Sequence, residues 1–137
     1  MRLPMIAVVL LLTTASAQAA QHYACADANG EITLAFDYDA AAAEPFGHVE
    51  MQLTDDFGIS TDPGHEDHSG EFVSAHYAGE DFIGAELRVK DADGKVSGLP
   101  AMQIRLVTVS EGANMLVTGG VSVGGGGIWT VTCKVSD

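Results

Sequence analysis

Apolar and polar residues alternate with a period of two along most of this chain, and no stretch carries a helical stripe. Ile32, Leu34, Phe36 and Tyr38 alternate with Thr33, Ala35 and Asp37. Val49, Met51 and Leu53 alternate with Glu50 and Gln52, and Ile83, Ala85, Leu87 and Val89 with Glu86, Arg88 and Lys90. Met102, Ile104 and Leu106 alternate with Gln103 and Arg105, and Trp129, Val131, Cys133 and Val135 with Thr130, Thr132 and Lys134. A strand sends successive side chains to opposite faces, so each run predicts a strand with one buried face.

Turn chemistry separates the runs. Asn29-Gly30 follows a short strand at Tyr23 to Cys25, and Asp93-Gly94 leads into Lys95-Val96; both dipeptides favour tight hairpins. Gly119-Gly120 and Gly124 to Gly127 are expected to divide the C-terminal third into short strands around Leu116 and around Val121 to Val123. Pro100 marks the entry to the Met102 strand. Ala40 to Ala43 are too few to nucleate a helix and read as a connection. The expectation is seven or eight strands in an all-β domain, a small antiparallel β-sandwich or a closed or near-closed β-barrel.

The first 19 residues depart from this pattern. Met1 and Arg2 form a basic start, Pro4 to Leu12 are almost wholly apolar, and Thr13 to Ala20 turn small and polar. Ala15-Ser16-Ala17 and Ala17-Gln18-Ala19 each fit a cleavage site. This is the layout of a cleavable export signal over residues 1–19, leaving one β domain over 20–137. The apolar run is too short to span a bilayer, and no later segment approaches one. The expected product is therefore periplasmic or secreted. In that oxidising setting Cys25 and Cys133, near the two ends, are expected to pair. Such a bridge requires the first and last strands to lie within about 7 Å of each other at the Cα atoms.

Charge narrows the partners. Nineteen acidic residues face six basic ones, a formal net charge of −13. That balance repels nucleic acid and anionic lipid and suits a basic protein or a cation.

One segment carries candidate chemistry. Asp55 to Glu71 is a long polar connection holding His65 and His68 with Glu66 and Asp67 between them, and His76 follows on the next strand. Imidazoles with nearby carboxylates could hold zinc or copper if the segment turns at Pro63-Gly64. The spacing is not the helical H-E-x-x-H arrangement, and no third ligand stands at a defined position. A solvated acidic loop is the alternative. Asp27-Ala28-Asn29-Gly30 and Asp91-Ala92-Asp93-Gly94 lack the flanking ligands of a calcium loop and read as turns. The glycine run lacks the lysine of a phosphate loop, and no G-x-S-x-G elbow occurs. No cofactor and no catalysis are therefore expected.

Tyr23-Ala24-Cys25 near the start, an all-β body and a late Cys133 are loosely similar to small periplasmic lysozyme-inhibitor barrels. The similarity covers the two ends alone, and the Ser-Gly inhibitory loop of that family has no placed counterpart, so no function transfers with it. The functional expectation is a non-catalytic binding or inhibitor module for a basic partner; the alternative is divalent-metal binding through the 55–71 loop.

Overall fold

The computed structural model describes residues 19–54 and 56–137, so all but the last residue of the signal segment read over residues 1–19 lies outside the described residues. Nine strands follow one another: β1 (Gln21–Ala26), β2 (Ile32–Tyr38), β3 (Phe46–Leu53), β4 (Gly58–Ser60), β5 (Glu71–Ala78), β6 (Phe82–Val89), β7 (Met102–Glu111), β8 (Asn114–Val123) and β9 (Gly127–Ser136). All pair antiparallel in a single sheet of order β4-β3-β2-β1-β9-β8-β7-β6-β5. The sheet rolls into a nearly closed barrel, the second of the two architectures the alternation allowed.

The inward face is the alternating apolar set. Ile32, Leu34, Phe36, Val49, Met51, Ala85, Leu87, Met102, Ile104, Leu106, Val121 and Val131 are all buried. Removing each of the larger side chains from water stabilises the fold by about 1.5–3 kcal/mol. At one end of the barrel Tyr23 stacks on Phe36 with ring centroids 4.8 Å apart, and Tyr38 meets Phe46 edge-on at 5.0 Å. Burial, with the nearby Tyr38 adding, pushes the Tyr23 phenol up.

β1 and β9 are neighbours, and Cys25 lies directly opposite Cys133 in their register. The two are bridged with Cα atoms 3.9 Å apart at a sequence separation of 108. The predicted pairing is thus present, inside the core, and is consistent with an oxidising compartment.

Three local readings differ from the structure. β8 runs unbroken through Gly119-Gly120, because the β7 ladder pairs both glycines in register with Leu106 and Arg105. Lys95-Val96 contributes one isolated bridge, Lys90 to Val96, rather than a strand. The polar segment after β3 contains β4, which pairs with Glu50, Met51 and Gln52 and buries Ile59. Three residues are too few to show a period.

The seam between β4 and β5 is joined by the ten-residue connection 61–70. Gly70 closes it: φ is +103°, and a Cβ there would collide with the Lys90 carbonyl. Only glycine satisfies both conditions.

Candidate functional site

The connection 61–70 does not project from the barrel. Two tight turns, His65 N–H to the Asp62 carbonyl and His68 N–H to the His65 carbonyl, coil it back over the outer face of β4. Gly58 makes room, since a Cβ on it would occupy the position of the Asp67 carboxylate. Ser60, whose own carbonyl accepts a 2.8 Å bond from His68 Nδ1, is fully covered. The segment acts as a strap that shields an edge strand only three residues long.

The histidine tautomers follow from these bonds. His65 Nδ1 accepts the Asp67 N–H at 3.1 Å, so its proton sits on Nε2, which lies 3.2 Å from Glu50 Oε1 on β3. His68 carries its proton on Nδ1, where the Ser60 carbonyl accepts it. Glu71, nearly buried at the start of β5, accepts the Ser69 N–H and lies 3.8 Å from His68 Nδ1. A third pair stands beside these: His48 Nδ1 is 3.0 Å from Asp62 Oδ1. His48 has φ of 49° and occupies the bulge where β3 carries an extra residue opposite β2. The hydrogen bond to Asp62 and its charge, with Asp37 adding, hold the His48 imidazole above its ordinary pKa.

Of the residues read as metal candidates, the structure brings His65 and Asp67 together, Nδ1 to Oδ2 at 3.7 Å. His68 turns instead to Ser60 and Glu71. Glu66 is exposed on the strap, and His76 is exposed on β5 opposite Ala85. Among the described residues no three His, Cys, Asp or Glu side chains are grouped as metal ligands. Glu50 and Ser60, which lie outside the 61–70 connection, are partners that the sequence does not point to. Alternation places Glu50 outward, but which loop lies over it depends on the seam. The two calcium-like turns use their carboxylates on their own backbone. Asp27 accepts from Asn29 and Ile32, which lowers its pKa through the Ile32 bond first, and Asp91 accepts from Asp93 and Lys95.

The outer surface divides by charge. From Ala19 to Leu87 the chain has fifteen acidic residues, all five histidines and no Lys or Arg. From Arg88 onward it has five basic residues and four acidic ones. Because the barrel nearly closes, β5 comes round beside β4, and the cation-free strands β5, β4, β3, β2 and β1 form one arc. β9, β8, β7 and β6 form the other, near-neutral arc, to which β6, though mostly within the cation-free run, adds Glu86. Within the near-neutral arc Arg88 donates to Glu86 at 2.7 Å and to the Ser97 and Gly98 carbonyls. The Arg88 bond, with Gln103 adding, holds the Glu86 carboxyl below its ordinary pKa.

Where the arcs meet across β1, the outer face sinks into an open hollow of about 450 Å³. One cross-strand row through it reads Glu50, Ala35, Ala24, Lys134, and the next reads Gln52, Thr33, Ala26, Thr132. Small residues on β1 and β2 form its floor.

Comparison with models of protein families, with curated proteins and with solved structures yields no match to this chain.

Proposed function

We propose that the protein is a non-catalytic binding or inhibitor module, acting in the periplasm or outside the cell, that engages a basic protein partner through its acidic arc. The observation that carries this reading is the separation of charge around the barrel, with fourteen acids and no Lys or Arg between Ala19 and Asp81, the stretch that holds β1 to β5. A field of one sign speeds encounter with an oppositely charged partner and repels nucleic acid. The nearly closed sheet, the bridge and the strapped seam support a rigid surface that loses little entropy on binding.

Position must be separated from net charge. Reversing Glu44, Glu66 and Glu80 to lysine alters the acidic arc; reversing Asp93, Glu111 and Asp137 changes the net charge equally elsewhere. Capture from a cell-envelope extract should yield a basic protein that raised salt releases and that the first triple variant loses. The second triple variant should retain it. Equal loss in both variants would mean unspecific attraction and defeat the proposal.

A second reading, zinc or copper(II) on the strap, is favoured by one distance. His65 Nε2 and Glu50 Oε1 are 3.2 Å apart, so an ion held between them would take the place of the Nε2 proton, with the ring proton moving to Nδ1 and the bond from the Asp67 N–H given up. Calorimetric titration with zinc should then give heat that His65→Ala abolishes; absence of heat removes this reading.

A further inference from the structure

The near-neutral arc carries an apolar patch that the acidic-arc reading does not use. On β7 the inward residues are Met102, Ile104 and Leu106, so Val107 and Val109 point outward. Val107 lies opposite Phe82 of β6, and Val109 lies opposite Leu116 of β8. These four occupy two adjacent rows of one outer face, and their exposures are 49% for Phe82, 47% for Val107, 57% for Val109 and 49% for Leu116. Met115, 56% exposed, lies opposite Ser110 on the other side of the same hairpin. The other outward positions of the sheet are mostly small, polar or charged, as with Thr33, Glu50, Gln103, Arg105, Thr132 and Lys134. A contiguous cluster of large apolar side chains on such a surface marks a contact site.

The hairpin that bears the patch also projects. β6 accompanies β7 as far as the Phe82–Val107 pair, and β9 accompanies β8 as far as the Val117–Cys133 pair. Beyond those pairs, β7 and β8 have only each other as ladder partners among the described residues. The tip therefore stands clear of the barrel with apolar residues on both faces.

Charge selects the occupant. A chain with net charge −13 resists meeting a copy of itself across any part of the cation-free arc. The patch lies on the opposite arc, which from Phe82 onward holds five basic and five acidic residues, with Glu80 and Asp81 of the acidic stretch at its border. Two copies meeting there keep their acidic arcs turned away from each other. An apolar patch is also self-complementary, as the shared surface of a two-fold pair must be. A basic partner is drawn to the other side of the barrel. We infer that Phe82, Val107, Val109 and Leu116 form the contact face of a symmetric homodimer, which leaves both acidic arcs exposed.

Salt distinguishes this inference from the binding of a basic partner. Screening weakens attraction between opposite charges and relieves repulsion between like ones. Dimerisation is therefore expected to strengthen as salt rises, whereas partner capture weakens.

Sedimentation velocity of the purified, oxidised protein over a range of concentration and salt tests it. A monomer–dimer equilibrium is expected, tighter at high salt. Val109→Thr combined with Leu116→Thr, which keeps strand-forming residues, should weaken it by roughly tenfold or more. Ile128→Thr removes an equally apolar residue, 81% exposed but outside the patch, and should leave the equilibrium unchanged. Val109→Glu should abolish the dimer; the threonine pair gives the answer if that variant does not fold. A monomer at every concentration and salt overturns the inference and gives the face to another partner. A dimer that survives the threonine pair also overturns it, because the contact then lies elsewhere.

Discussion

At the scale of single residues, most of the ionisable side chains around the strap are engaged in pairs. Among them the His48 imidazole is held above its ordinary pKa by Asp62. The folded pKa of His48 lies above that of the unfolded chain, through its hydrogen bond to Asp62. Its contribution to stability is therefore complete below the ordinary imidazole pKa and lost as pH rises through the folded value. Glu86, held down by Arg88, behaves in the opposite sense: its contribution is present above the ordinary glutamate pKa and fades as pH falls through the folded value. Titration of the His48 ring protons by NMR should give a midpoint above that of an unfolded-chain histidine, and Asp62→Asn should return it. A midpoint indifferent to Asp62→Asn would mean that the bond does not form in solution. In sequence His48 looks like an ordinary residue at a strand edge. Its partner is 14 residues away, and the strap's path over β4 is what places it there.

At the scale of elements, alternation made the long strands legible because every second residue of β2, β6, β7 and β9 meets one shared core. It failed where a strand was short or its glycines looked like breaks. β4 has three residues, and β8 continues through Gly119-Gly120 because β7 supplies a partner for each. The pairing of β1 with β9 was legible through chemistry instead, since two cysteines in a chain with the layout of an export signal point to their strands being neighbours. Closing a loop across a sequence separation of 108 restricts the unfolded chain, and the chain-entropy estimate is about 4–5 kcal/mol. Denaturant unfolding of the oxidised protein and of a Cys25→Ser, Cys133→Ser variant should differ by roughly that amount, with the variant weaker. A difference below about 1 kcal/mol would show that the ladders alone hold the terminal strands together.

At the scale of the whole molecule, the missing information was topological. The cation-free stretch is visible in the sequence as a run, but a run becomes a face only when its strands are contiguous in space. β4 and β5 are the two ends of the hydrogen-bonded order, so that contiguity depends on the strap bringing them together. The same holds for the apolar patch. Phe82, Val107, Val109 and Leu116 look like scattered interruptions of alternation until the β6–β7–β8 register lines them up. The candidate metal residues were the reverse case. Their nearness in sequence suggested convergence, and the turns of the strap direct His65 and His68 to separate partners.

The Cys25–Cys133 bridge has a consequence for the protein's life among proteases. It makes the chain between the two cysteines a covalent ring that includes every loop from Ala26 to Thr132. A single cut at an exposed hairpin tip, such as Asp93-Gly94 or Gly112-Ala113, opens the ring and releases no fragment. The nicked molecule keeps its strands and its ladders and gains only the water of hydrolysis. Clearing it requires a second cut or a reductant, so the lifetime of the nicked protein is set by redox conditions as much as by protease.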